Sequence, residues 1–325
     1  MGFYRGGSGR IENLTITGRY GVYVYRTALT TKGCTFSNNY YGIYAYQAAN
    51  LVDSSTFSSR IYGILSYYGR TSVQSCNFQK GNYGLYSVNE ASVAVNNSRF
   101  TENTGWPLLL LGNKWRVDNT TVNNNYYGVY MANVTNRDLN FRNCRIENNR
   151  YYGVYFTNSR ITLDKALQKR LPTKNNGYGY AFSNCTTTIK DVQITAHKYY
   201  GVLSWNGSID IINSTISKNG NGVYLYGNKR STLTNSIVEG NRSWGMLVYR
   251  QSFNLDKTQV RNNGYGMLLY QLTNSQIGLR NSSVTKNKYY GMYLYYCSLN
   301  LSPNQKGWGI KDNGNGIYAY RSTGV

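Results

Sequence analysis

A glycine set between a tyrosine and an aliphatic residue recurs down the whole chain. The column runs Gly21, Gly42, Gly63, Gly84, Gly105, Gly128, Gly153, Gly179, Gly201, Gly222, Gly245, Gly266, Gly291 and Gly316, in steps of 21 to 26 residues. A period in that range marks a one-dimensional repeat architecture, so 325 residues need not mean several globular domains. A residue's meaning then depends on its place in the repeat.

With the glycine as position zero, +1 reads Val22, Ile43, Ile64, Leu85, Trp106, Val129 and onward, and +3 includes Val24, Ala45, Leu108 and Met131. Positions +2 and +4 are mostly tyrosine. Apolar and aromatic columns therefore alternate with period two, which predicts a strand with +1 and +3 inward. A second strand six to nine residues earlier carries Phe36, Phe57, Phe78, Phe100, Val122 and Ile146, then Ile194, Ile216, Val238, Val260 and Val284. Two residues before it runs a small-residue column that includes Cys34, Ser55, Cys76, Ser98, Thr120 and Cys144. An Asn-rich corner follows, as in Asn38-Asn39, Asn148-Asn149 and Asn262-Asn263. Asparagine tolerates the left-handed backbone of a sharp corner, and its amide can bond along a stack. A third apolar strip, such as Ile209-Asp210-Ile211 or Leu299-Asn300-Leu301, completes the turn.

Three short strands in about 22 residues describe one coil of a parallel β-helix. The Asn-x-Tyr-Gly-Ile/Val-Tyr pattern resembles the repeat of right-handed, pectate-lyase-like β-helix proteins, from about Ile11 to Tyr320. The resemblance implies an all-β fold, a right-handed β-solenoid of about 14 coils forming a single domain over residues 1–325. It implies no particular activity, because that scaffold carries lyases, hydrolases, epimerases, tailspikes and adhesive proteins alike.

Only 3 prolines interrupt the pairing, and no apolar run is long enough to span a membrane. Residues 1–10 contain no apolar h-region, so no signal peptide is visible. The 5 cysteines do not form a disulfide framework, since Cys34 and Cys76 lie two coils, about 10 Å, apart. They read as buried members of a Ser/Thr/Cys ladder. The net charge of +22 either attracts an anionic partner or keeps a Tyr-rich rod soluble by self-repulsion. The basic residues read as scattered among loops and no nucleic-acid-binding fold is visible, so acidic polysaccharide is the expected partner rather than nucleic acid.

The chain holds 35 tyrosines. Those at +2 and +4 should form outward ladders that contact glycan or protein: Tyr23, Tyr25, Tyr44, Tyr46, Tyr224, Tyr226, Tyr249, Tyr270, Tyr293, Tyr295, Tyr318 and Tyr320. Position −1 adds further rings whose direction the pattern does not fix. The insertion Asp164–Lys174 should protrude as a basic loop, with a helical turn before Pro172, presenting Lys165, Lys169, Arg170 and Lys174.

Glycoside hydrolysis needs two facing carboxylates about 5–9.5 Å apart. No two acids fall in adjacent coils of one outward column. A lyase or epimerase needs a base and a cation near a uronic carboxylate. His197, the single histidine, is a candidate base, although a corner histidine reads more simply as solvated. No Cys/His metal spacing, carboxylate cluster or phosphate loop appears, so no metal or cofactor is expected. Neither end shows an amphipathic cap helix, which points to a segment of a longer helix or to end-to-end stacking. The expectation is a non-catalytic structural or adhesive module of an extracellular or particle surface, self-associating into a filament or contacting other surface proteins or acidic glycans. The alternative is a polysaccharide lyase or epimerase.

Overall fold

The computed structural model describes residues 1–89, 91–111, 114–273, 276–299 and 307–323. Asn300 and Leu301 of the third strip lie outside them. The chain is an all-β parallel solenoid of about 14 turns. It divides into two compact units: residues 1–155 with 169–176, and residues 156–168 with 177–325.

One coil of the first unit runs Tyr20–Tyr25, Ala28–Lys32 and Thr35–Ser37. Each strand pairs in parallel with its counterpart one repeat on: Tyr20 with Tyr41, Ala28 with Ala49, Thr35 with Thr56. In the second unit Tyr200–Trp205, Ser208–Ile212 and Thr215–Ser217 make the same triangle. Corners are residues in left-handed backbone, three to a typical coil, such as Tyr68, Ser75 and Lys80 around successive walls.

The apolar columns meet inside. Phe36, Phe57, Phe78 and Phe100 stack with ring centroids 4.6, 4.7 and 4.6 Å apart and are at most 1% exposed. The five cysteines are buried and free. Cys34 and Cys76 take hydroxyl acceptors from the next coil, Ser55 and Ser98, each 3.1 Å from the backbone nitrogen. Burial pushes the Cys76 and Cys144 thiols up to about 11.

The strand pattern departs from strict alternation at its start. The glycine and +1 are both buried, so −1 and +2 emerge on the same side. The glycines need space here rather than backbone freedom, since none in this column has a positive φ. A Cβ on Gly42 would lie 2.5 Å from the Gly63 carbonyl oxygen, and one on Gly63 2.6 Å from that of Gly84.

One coil corrects the sequence register. Leu85 pairs with Leu108, and the Leu85 amide donates to the Pro107 carbonyl at 2.9 Å. Pro107, not Gly105, therefore occupies position zero. Leu108 moves from +3 to +1, and Trp106 turns from inward to the outward −1 position. Proline has no N–H to give the ladder, and the strands around it, Leu108–Leu111 and Val129–Ala132, shorten to four residues.

The corner asparagines divide their two jobs between adjacent columns. The left-handed position accepts Lys80, Glu102, Ala196 and Lys218 as well as asparagine. The next position, buried, forms the ladder. In the first unit it runs Asn103, Asn125, Asn149, Asn176; in the second, Asn219, Asn241, Asn263, Asn287, Asn313. Each Oδ1 accepts both the backbone N–H and the side-chain Nδ2 of the preceding asparagine, at 2.9 Å each for Asn103 onto Asn125.

Candidate functional site

The expected aromatic face exists. Aromatic rings at −1, +2 and +4 of the six-residue strands leave the core, whereas Leu65, Ala181 and Leu247 at +2 are buried, and none of the twelve predicted ladder tyrosines is buried. The ladders are not independent, however. Aliphatic residues break the +2 column at Leu65, Leu109, Ala181, Leu203, Leu247 and Leu268, and rings from −1 fill in. Tyr62 stacks on Tyr83 at 4.9 Å and reaches Tyr86 at 5.6 Å. Trp106 lies 4.7 to 5.8 Å from Tyr127, Tyr130, Tyr152 and Tyr155. In the second unit Tyr224 contacts Tyr200 and Tyr249, both at 5.4 Å.

Most column neighbours lie nearly parallel: Tyr23 on Tyr44 at 5.2 Å and 9°, Tyr25 on Tyr46 at 5.7 Å and 11°, Tyr295 on Tyr320 at 5.0 Å and 11°. A ring sandwiched this way has both faces occupied. What it shows to solvent is its edge and hydroxyl.

Nine of the chain's 35 Lys and Arg border this wall. Along one edge, three residues or so before position zero, stand Arg19, Arg60 and Arg150 in the first unit and Lys198, Arg242 and Lys288 in the second. Along the other edge, at +5, stand Arg26 in the first unit and Arg250 and Arg321 in the second. All are exposed. Several lie over rings: Arg19 at 5.0 Å from the Tyr40 centroid, Arg26 at 5.2 Å from Tyr25, Arg150 at 4.9 Å from Tyr126, Lys288 at 4.9 Å from Tyr289. Aligning the repeat at −3 and +5, as was done for the aromatics, would have revealed both rows. A separate polar groove of about 500 Å³ on the three-residue-strand side of the second unit is lined by Arg261, Lys286, Lys311 and Asp312.

The insertion is not a free protruding loop. Lys165–Arg170 is a helix whose Leu167 is buried, and Leu171 after it is buried too. Thr173–Lys174 pairs with Ile146 and Glu147. Lys165, Lys169 and Lys174 remain exposed, but Arg170 is half-buried and donates from Nη1 to the Leu139 carbonyl at 3.3 Å. One leucine on the helix and one just after it anchor what charge alone made look solvated.

His197 is likewise corrected. It is 2% exposed and takes an asparagine's place in the corner ladder, its backbone N–H donating to Asn219 Oδ1 at 3.0 Å. Nor does the coil register bring strand carboxylates together among the described residues. Asp53 stands between Lys32 and Gln74, and Asp118 between Asn96 and Arg142. Glu147 stands between Asn123 and Lys174, and Glu239 between Ser217 and Arg261.

Burial, then the neighbouring phenols, push Tyr62 and Tyr224 up to about 12. Tyr44, Tyr67, Tyr86, Tyr200 and Tyr249 move the same way, chiefly through burial. A phenol raised in the folded state stabilises it fully below its unfolded value of 10.0, and that contribution is lost as pH climbs through the folded value. Phenolate absorbance of the native chain should therefore show a late wave near pH 12, with unfolding setting in between about pH 10 and 12. A native titration that overlays that of the denatured chain would refute this.

A family model described as the right-handed β-helix region matches residues 20–166 and 173–305. The chain belongs to the right-handed β-helix family. No curated protein matches it. Among solved structures, a double mutant of the periplasmic alginate epimerase AlgG aligns at 12% identity, covering 95% of this chain and 76% of that one, with a TM-score of 0.48. The A-modules of the Azotobacter vinelandii mannuronan C-5 epimerases AlgE6 and AlgE4 align at 12% and 14% identity. They cover 99% of this chain and 91% and 90% of theirs, both with a TM-score of 0.31. Within the β-helix family, similarity at this level carries no activity across. No described helix is long and apolar enough to cross a membrane.

Proposed function

We propose that this β-helix protein is a non-catalytic module of an extracellular or particle surface whose aromatic wall binds acidic polysaccharide. The observation that carries the reading is the pairing of a hydroxyl-edged aromatic wall with exposed cations at both of its edges, more of them on the −3 side than at +5. Carboxylate or sulfate groups of an extended chain would meet the cations, while phenol hydroxyls bond to sugar hydroxyls between them. Stacked rings offer few free faces, which suits a glycan better than single-stranded nucleic acid, whose bases need open aromatic platforms.

The lyase or epimerase alternative finds less support. Its candidate histidine is locked in the corner ladder, and phenols such as Tyr62 and Tyr224 are pushed away from the pKa that a base at neutral pH requires.

The test is affinity electrophoresis in gels cast with pectate, alginate or heparin, against neutral dextran. Retardation by the anionic polymers alone, weakening as salt rises, is expected. Replacing Lys198, Arg242 and Lys288 together with glutamine should reduce both the retardation and its salt dependence. Free migration through every anionic gel at low salt would end the proposal. Unsaturated or C5-inverted uronate in the recovered polymer would establish the enzymatic alternative, and sedimentation would reveal self-association through the same face.

A further inference from the structure

The ring stack at +4 of the second unit ends at Trp205. Tyrosine fills the position at Tyr226, Tyr249, Tyr270, Tyr295 and Tyr320, but the column opens with Trp205, and Ser183 and Thr157 hold the position in the two coils before it. Trp205 pairs with Tyr226 on one side and Ser183 on the other. Tyr226 covers one indole face, with centroids 4.5 Å apart. The serine side chain ends near the level of its own Cβ. The outer part of the other indole face therefore overhangs a space that a ring fills elsewhere in the ladder. The indole is accordingly 45% exposed, among the most open aromatic side chains on the wall.

The coil beneath Trp205 thus offers no ring at +4. It leaves a notch with an indole wall, a serine floor and exposed Asn184 at the corner, while Ala181 at +2 of the same coil is fully buried and lies outside it.

We infer that this notch is a saccharide subsite, in which one pyranose ring of the bound chain stacks its C–H face on the open face of Trp205. Ser183 and Asn184 are placed to hydrogen-bond its hydroxyls. An apolar face with polar edges is the chemistry of a pyranose, and a flat indole wall beside hydroxyl and amide groups complements it. The inference rests on the glycan-binding reading and adds to it the point at which the chain is held by contact rather than by charge. Because stacking is insensitive to salt, this site should dominate what binding survives at high ionic strength.

The experiment titrates oligogalacturonate into the wild type, Trp205→Ala and Ser183→Tyr, by calorimetry at low and high salt. Trp205→Ala removes the wall. Ser183→Tyr keeps the tryptophan and refills the missing ring, which lengthens the stack and should leave folding intact. Both should bind roughly tenfold more weakly than the wild type at high salt, on the scale of one aromatic contact. The Lys198/Arg242/Lys288 glutamine variant should lose affinity mainly at low salt. If the wild type binds and either Trp205→Ala or Ser183→Tyr binds equally well, the subsite is wrong while the cationic wall stands. If the wild type does not bind at all, both readings fall.

Discussion

Asn125→Leu is expected to lower the stability of the first unit by roughly 2–5 kcal/mol, although leucine is close to asparagine in size and more hydrophobic. Asn125 Oδ1 accepts the backbone N–H and the Nδ2 of Asn103, both at 2.9 Å, and its own Nδ2 donates to the Phe100 carbonyl at 3.1 Å. Leucine leaves the Asn103 N–H buried with its acceptor gone. An unmet buried donor costs about 1–3 kcal/mol by itself. Coils touch only their neighbours, so the damage should be local. Hydrogen exchange should quicken in the coils around Asn103 and Asn149, while the strands around Asn241 keep their protection. Unchanged thermal stability would mean that the ladder follows from the fold rather than supporting it.

The second large effect contrasts two members of one column. Gly63→Ala would set a Cβ 2.6 Å from the Gly84 carbonyl oxygen and 2.7 Å from Phe78 Cδ1. Neither can yield easily. The oxygen belongs to backbone held in the sheet, and Phe78 is clamped between Phe57 and Phe100 at 4.7 and 4.6 Å. Overpacking of this kind costs about 1–3 kcal/mol, plus any ladder bonds lost as the coils separate. Gly316→Ala, at the equivalent position of the repeat, has no heavy atom within 4 Å of the new Cβ and should be nearly neutral. Matched melting curves for the pair decide the matter. Equal losses would indicate a conformational need for glycine, and equal tolerance would show that the coils can move apart.

The site was partly legible beforehand. The outward tyrosines could be read because +1 and +3 carry mostly aliphatics, which sends +2 and +4 the other way. The −1 rings could not be assigned, because the buried pair at zero and +1 breaks the alternation from which direction is inferred. The cation rows are hard to see in the sequence because nine of 35 Lys and Arg form them and the others stand elsewhere in the repeat. His197 and Arg170 were misjudged because burial of a corner or an insertion depends on what packs over it. The fully buried Leu171 and the 3.0 Å bond from His197 to Asn219 have no periodic signature.

Periodicity alone determined the parallel solenoid, its inward phenylalanines and its buried thiols, since a repeat of fixed length can bury its apolar columns only by stacking coil on coil. Tertiary structure alone decided the zero position at Pro107, the division of labour between corner asparagines, and the unfilled notch beside Trp205. Those depend on which atoms of one coil come to rest against the next, a relation between residues some twenty positions apart that no single repeat contains.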